Sequence, residues 1–170
     1  LCEMGRFFPE AYRKFLSAFG FSIKNKPSVE EILVKAYSRL FDEDPKVHQP
    51  AAEAWASYEI SCATIEYEHR RMTGHSALSI SRIEAHYFKN NCFLKSSFIM
   101  NNVEKLKNLP TIIIQGRHDV ICPPFSAFEL KENLNSCKLI IVDDSGHSAF
   151  EKGIKKALLE GMVHFKEILN

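Results

Sequence analysis

The stretch Ile112–Asp119 (IIIQGRHD) decides the fold, together with Leu139–His147 (LIIVDDSGH). Each begins with a short aliphatic run and passes into turn residues, which is the pattern of a buried strand in a parallel sheet. The first stretch ends in an acid, Asp119, and the second ends in a histidine, His147. Open α/β sheets keep their reaction sites at the carboxyl ends of the strands. The sequence therefore predicts an α/β fold with Asp119 and His147 on adjacent loops at one sheet edge.

The order of these two residues matches a known catalytic arrangement. In α/β-hydrolases the nucleophilic serine comes first, the acid second and the histidine third. Asp119 would then hold the imidazole tautomer, and His147 would act as the general base toward a serine. The alternative is that Asp119 caps a turn and His147 is an ordinary loop histidine. We favour the triad because both residues follow matching strands.

The nucleophile motif of such hydrolases, Gly-x-Ser-x-Gly, does not occur in the sequence. Two Gly-x-Ser triplets, at 74–76 and 146–148, lack the second glycine, and neither follows a strand of its own. The chain also begins at Leu1 rather than Met. We expect it to be the carboxyl-terminal part of a larger hydrolase, with two of three triad members and no activity alone. Its expected partner is the missing amino-terminal part of the same core.

Composition narrows the class of protein. The chain has 170 residues, 45% hydrophobic and 25% charged, which suits a globular protein with a real core. The net charge of +1 argues against nucleic-acid binding. No apolar run approaches the ~20 residues that span a bilayer, so no membrane association is expected. The five cysteines form no Cys-x-x-Cys pair, which favours reduced thiols in a cytoplasmic protein over disulfides or a metal site.

Periodicity divides the chain into a helical cap (lid) domain at residues 1–98 and part of an α/β-hydrolase core at 99–170. Capping patterns predict helix starts at Ser28, Asp44, Ser126 and Ser148. A short helix is predicted to present Ile80, Ile83 and Tyr87 on one apolar face. The last helix carries a longer apolar stripe, which should cover strands that this chain lacks. The stripe comprises Ile154, Ala157, Leu158, Met162, Phe165, Ile168 and Leu169.

Four motifs resemble those of the prolyl aminopeptidases (proline iminopeptidases), which are serine α/β-hydrolases. The family's Gly-Arg-Tyr-Asp, followed by Cys-Pro, stands here as Gly116–Pro124 (GRHDVICPP). Its Ala-Gly-His-Ser-Ala-Phe-Glu stands as Ser145–Glu151 (SGHSAFE). Two lid motifs stand as Ala52–Glu59 (AEAWASYE) and Ser81–Phe88 (SRIEAHYF). The motifs occur in family order and extend over most of the chain.

The resemblance implies a serine exopeptidase that releases amino-terminal proline from peptides without a metal or organic cofactor. Asp119 and His147 would be its catalytic residues. Glu59 and Glu84 would bind the substrate's imino group, the alternative being that they are solvated helix glutamates. Cys122 would line the pocket for the prolyl ring, or equally be a small buried hydrophobic residue. Two alternatives stay open. One is another lidded hydrolase acting on epoxides or esters, and the other is a non-catalytic binding or scaffold protein derived from a hydrolase.

Three positions depart from the family pattern. His118 replaces the usual Tyr, Tyr58 replaces the second Trp of the first lid motif, and Ser145 replaces Ala. The first two lie beside predicted functional residues, so they bear on the shape of the substrate pocket rather than on the reaction class.

Overall fold

The computed structural model describes residues 3–66 and 71–169. These residues form two compact units. The first comprises residues 3–62 and 71–95, and the second comprises residues 63–66 and 96–169. Within the described residues, no helix has the length and apolar character needed to cross a membrane.

Four α-helices make up most of the first unit: α1 (Pro9–Ala18), α2 (Val29–Leu40), α3 (Pro45–Ala63) and α4 (Gly74–Lys89). Helix α2 begins with the predicted capping box. The Glu31 amide donates to Ser28 Oγ (3.1 Å), and the Ser28 amide donates to Glu31 Oε2 (2.7 Å). Helix α3 begins with Pro at its first position, where a missing N–H costs nothing. The Lys46 amide donates to Asp44 Oδ1 (2.8 Å), which confirms the predicted helix start.

Aromatic side chains form the core of the first unit. Phe15 stacks on Tyr58 with ring centroids 4.8 Å apart and meets Trp55 edge-on at 5.7 Å. Phe19 packs against Phe15 at 5.0 Å. Such pairs contribute about 0.5–1.5 kcal/mol each beyond the burial of their area. Helical spacing predicts an apolar stripe on α3 that comprises Ala51, Ala54, Trp55, Tyr58 and Cys62, and all of these except Ala54 are buried.

The buried face of α4 differs from the predicted one. Ile83 and Tyr87 are exposed, whereas Ala77, Ser81 and Ala85 are fully buried. These small residues recur every four positions and let neighbouring helices approach closely. Ser81 Oγ donates to the carbonyl of Ala52 in α3 (3.0 Å). The predicted apolar face of α4 is therefore wrong, because residue size rather than hydrophobicity selects the face that packs inward.

The second unit contains β1 (Thr111–Gly116), α5 (Pro124–Glu132), β2 (Cys137–Val142) and α6 (Lys152–Leu169). The strands pair in parallel, as predicted, with Thr111 opposite Cys137 and Gly116 opposite Val142. Both helices pack against both strands. Ahead of β1, the spacing of Met100, Val103 and Leu106 predicts one more helix, and the structure has a 3₁₀ helix there, Met100–Lys105.

Two predicted caps in this unit are wrong. Helix α5 begins at Pro124, so Ser126 lies inside it rather than at its cap. Pro supplies the fixed φ of a first helical position without a side-chain cap. Helix α6 begins at Lys152, and the carboxylate of Glu151 bonds elsewhere instead of closing a capping box with Ser148.

The strands and α6 leave much apolar surface accessible. Apart from Gly116, the strand residues are at most half-buried, because a two-stranded sheet has two open edges. This differs from the predicted full burial. Helix α6 buries Ile154 and Ala157 near its start, and Gly161 approaches Ile112 and Ile114 of β1. Its exposed apolar residues are Leu158, Leu159, Met162, Val163 and Ile168.

Candidate active site

The loops that follow β1 and β2 are joined by backbone contacts. The Arg117 amide donates to the carbonyl of Val142 (2.9 Å), and the His118 amide donates to that of Ser145 (3.0 Å). A Cβ atom on Gly116 would overlap the carbonyl oxygen of Gly146. We call residues 117–123 the acid loop and residues 143–151 the histidine loop. Glycine at position 116 therefore permits the close approach that brings these two loops together.

Asp119 and His147 meet between these loops. Nδ1 of His147 lies 2.9 Å from Oδ2 of Asp119. Because a carboxylate only accepts, the proton resides on Nδ1, and Nε2 remains on the far side of the ring. The other carboxylate oxygen, Oδ1, accepts from the amides of Ile121 (3.0 Å) and Cys122 (2.8 Å). Asp119 is buried and the His147 side chain is 36% exposed, so the acid is fixed and the imidazole is accessible.

The pair shifts both pKa values in opposite directions. Burial alone would raise the pKa of Asp119, but the hydrogen bonds from His147 and the Cys122 amide outweigh it and lower the pKa. The hydrogen bond to Asp119 raises the pKa of His147 to about 10, with a further contribution from the Cys122 side chain and opposition from burial. Asp119 is therefore a carboxylate, and His147 an imidazolium, at neutral pH in this chain.

We expect NMR titration of the chain to place the His147 imidazole midpoint near 10. Asp119→Asn should move the midpoint toward the ordinary value of about 6.5, because it removes the anionic acceptor. Asp143→Asn is the matched control: Asp143 pairs with Arg117 on the surface, and its loss should leave the midpoint unchanged. A wild-type midpoint near 6.5 would contradict the assigned contact.

The same pKa shifts predict how stability depends on pH. The raised pKa of His147 stabilises the fold fully below about pH 6.5, and this contribution disappears as the pH rises through about 10. The lowered pKa of Asp119 adds stability above about pH 4, which is lost in acid. The difference in unfolding free energy between wild type and Asp119→Asn should therefore be greatest between about pH 4 and 6.5.

The two predicted recognition glutamates lie in the first unit. Glu84, on α4, accepts a hydrogen bond at Oε2 from Trp55 Nε1 (2.7 Å). Glu59 lies on α3, one helical turn after Trp55. Both glutamates are half-buried rather than fully solvated. The structure thus gives Glu84 a defined orientation and partly shields both carboxylates from water.

Cys122 lies beside the Asp119–His147 pair. Its amide binds Asp119, and its side chain contributes to the raised pKa of His147. The thiol is exposed, and Cys62, Cys92 and Cys137 are also free. The described part of the chain contains no group of three or more His, Cys, Asp or Glu side chains arranged to hold a metal ion.

Sequence analysis missed three contributors to this site. Gln115 Nε2 donates to the Cys122 carbonyl (3.1 Å) and approaches Asp119 Oδ2 (3.4 Å). The Ala63 carbonyl accepts from the amides of His147 and Ser148, and Glu151 binds the amide of Gly146. Gln115 could have been recognised from the sequence, because it is a polar residue within an aliphatic strand. Ala63 and Glu151 gave no local signal of these contacts.

Comparison with known proteins shows which proteins this chain is similar to. Residues 94–165 match the family model described as TAP-like protein, of the α/β-hydrolases. The proline iminopeptidase of Neisseria gonorrhoeae is 34% identical over 161 residues, which cover 94% of this chain and 50% of that protein. The chain is similar to proline iminopeptidases over nearly its whole length. A probable proline iminopeptidase of Leptolyngbya boryana is 32% identical over 164 residues, which cover 93% of this chain and 49% of that protein.

A plant protein is also similar to this chain. The proline iminopeptidase of Arabidopsis thaliana is 37% identical over 143 residues, which cover 81% of this chain and 38% of that protein. The chain spans about half the length of the two bacterial relatives described above. The match to the TAP-like family model agrees with an α/β-hydrolase fold in which two parallel strands accompany many helices.

Proposed function

We propose that the chain forms part of a serine exopeptidase that releases amino-terminal proline from peptides. The observation that carries the proposal is the 2.9 Å contact between Asp119 and His147 at the ends of adjacent parallel strands. Likeness to proline iminopeptidases supports the substrate class. An epoxide or ester hydrolase would use the same pair but gives no reason for two shielded glutamates on α3 and α4.

Both proton transfers of the mechanism use the Nε2 atom of His147, because Asp119 holds Nδ1. Asp119 keeps the proton on Nδ1, so Nε2 can accept the proton of a serine hydroxyl supplied from outside this chain. The serine oxygen attacks the prolyl carbonyl, and His147 returns the proton to the leaving amine. Water, activated by His147, then cleaves the acyl-enzyme and regenerates the serine.

General-base catalysis requires a neutral His147, whereas the pKa near 10 keeps the ring charged in this chain. The His147 ring is partly exposed, so another part of the protein can still bury it and change its pKa. Burial disfavours the charged imidazolium and lowers its pKa. We expect the serine-bearing part of the core to cover this ring and shift the pKa of His147 toward neutrality.

The recognition of substrate is assigned to the glutamates. An amino-terminal proline carries a cationic imino group, and carboxylates form charge-assisted hydrogen bonds with such a group. Glu59 and Glu84 supply the carboxylates. The Trp55 indole N–H donates a hydrogen bond to Glu84 and orients its carboxylate. Cys122 lines the pocket for the prolyl ring beside His147. Acyl transfer of this kind uses no metal or organic cofactor.

The partner within the same protein is the amino-terminal part of the hydrolase core. Exposed apolar residues along α6 and the open edges of the β1–β2 sheet are surfaces that further strands can cover. The proposed setting is the cytoplasm, with peptides as substrates and neither nucleic acid nor membrane as a partner.

The test uses the full-length protein that contains this chain. L-prolyl-p-nitroanilide should be hydrolysed, and N-acetyl-L-prolyl-p-nitroanilide should not, because acetylation removes the cation. The 170-residue chain alone is the negative control, since it contains no Gly-x-Ser-x-Gly. Preference for a neutral ester or an epoxide would instead support the other hydrolase, and a folded protein inert toward every substrate would support the scaffold.

A further inference from the structure

Three consecutive amides of the histidine loop are held, two by a carbonyl of another segment and one by a carboxylate of the same loop. The amides of His147 and Ser148 donate to the Ala63 carbonyl, at 2.9 and 2.8 Å. The amide of Gly146 donates to Glu151 Oε2 at 2.6 Å. Position and direction of the loop are therefore fixed at its backbone, in addition to the contact between the imidazole and Asp119.

Glu151 binds two segments at once. Its second oxygen, Oε1, accepts from the amide of Ile65 (3.0 Å), so one carboxylate joins the histidine loop to residues 63–66. Hydrogen bonds to a charged acceptor are shorter and stronger than neutral ones. The carboxylate thus reinforces the same pairing of segments that the Ala63 carbonyl makes.

Gly146 lies inside this contact. A Cβ atom there would meet the Ala63 carbonyl oxygen at 3.1 Å and Glu151 Oε2 at 3.4 Å. The glycine lets the loop backbone approach both acceptors, so Gly146 and Glu151 act together. A side chain at position 146 would press the loop away from the residues that hold it.

We propose that Glu151 is a positioning residue for the hydrolase reaction, which fixes the His147 loop against residues 63–66. This inference rests on the proposed function, because the loop matters only if His147 transfers protons. The hydrogen bonds of the Glu151 carboxylate go to the Gly146 and Ile65 amides, so Glu151 acts on His147 through the backbone of Gly146. Small displacements of a catalytic group lower turnover steeply, by about 10²-fold for 1 Å.

The first test measures amide hydrogen exchange in the chain. Glu151→Gln retains size but loses the charge. The side-chain NH₂ of glutamine cannot accept a hydrogen bond, so one of the Gly146 and Ile65 amides loses its acceptor. Exchange at Gly146 and Ile65 should accelerate roughly tenfold or more. The Ile121 and Cys122 amides, which bind Asp119, are the internal reference and should keep their rates. Unchanged exchange at Gly146 and Ile65 would overturn the proposal, as would global unfolding of Glu151→Gln.

The second test measures kcat and KM separately in the full-length protein. Glu151→Ala should lower kcat roughly 10- to 100-fold and leave KM little changed, because the recognition glutamates are intact. The kcat of Glu151→Gln should lie between those of the wild type and Glu151→Ala. Glu129→Ala, at an exposed position of α5, is the matched control with normal kcat. Wild-type kcat in folded Glu151→Ala, or a rise in KM alone, would overturn the positioning role.

The two tests also separate this inference from the proposed function. If the wild type releases no proline, the proposed function fails. The exchange rates of the Gly146 and Ile65 amides still decide whether Glu151 holds the loop. If proline is released but Glu151 variants change neither exchange nor kcat, only the positioning role fails.

Discussion

Asp119→Asn in the full-length hydrolase should reduce kcat for a prolyl amide by about 10⁴-fold. The asparagine presents either an amide N–H₂, which cannot accept the Nδ1 proton, or a weaker neutral carbonyl. The imidazole then loses the partner that fixes its tautomer and stabilises the imidazolium formed during acylation. Single-turnover and steady-state rates of the purified variant, measured beside the wild type, test this expectation.

The fold should survive this substitution. Asparagine keeps one carbonyl oxygen, which can still accept from the amides of Ile121 and Cys122. Asp143→Asn is the matched control, because Asp143 is an exposed acid on the neighbouring loop that pairs only with Arg117 among its described side-chain contacts. A folded Asp119→Asn enzyme with a near-normal rate would remove Asp119 from the triad.

Substituting either recognition glutamate should produce the second large effect, one confined to substrates with a free amino terminus. Glu59→Gln and Glu84→Gln retain size but lose the charge that pairs with the imino group. Loss of such a charge-assisted hydrogen bond costs about 1.5–3 kcal/mol. The specificity constant kcat/KM for a prolyl amide should therefore fall roughly 10- to 150-fold.

A neutral ester separates recognition from structural damage. The ester has no cation, so its hydrolysis should change little in either variant. Glu30→Gln, on the exposed surface of α2, is the control for a glutamate outside the site. Equal losses for amide and ester would make the glutamates structural. No loss for either substrate would identify them as surface residues and remove the main support for the aminopeptidase.

Local sequence pattern was sufficient for the elements that place the Asp119–His147 pair. The aliphatic runs of β1 and β2 depend on residue type alone, and parallel pairing then puts both loops at one edge. The capping box at Ser28 is equally local. The inward face of α4 was predicted wrongly, because it depends on which helix surface accepts a close neighbour. Ala77 and Ala85 carry little hydrophobic signal, yet they are the residues that pack.

The contacts that hold the histidine loop against residues 63–66 join positions far apart in the sequence, so local sequence pattern does not predict them. Glu151 reaches Ile65 across 86 positions, and the Ala63 carbonyl accepts from His147 across a similar interval. The motif around His147 drew attention to Glu151 only as a helix cap. Its carboxylate instead accepts from the Gly146 amide of its own loop and from the Ile65 amide of a distant segment, and only the folded chain shows that both lie within reach.

The discontinuous first unit affects how such a protein can exchange parts with its homologues. Residues 63–66 belong to the second unit although the chain on both sides of them is assigned to the first. A recombinant that inserts a foreign helical unit as one block would also replace the segment on which the histidine loop rests. Chimaeras between related hydrolases should therefore tolerate new helices only when residues 63–66 are inherited together with the loop that contains Gly146 and Glu151.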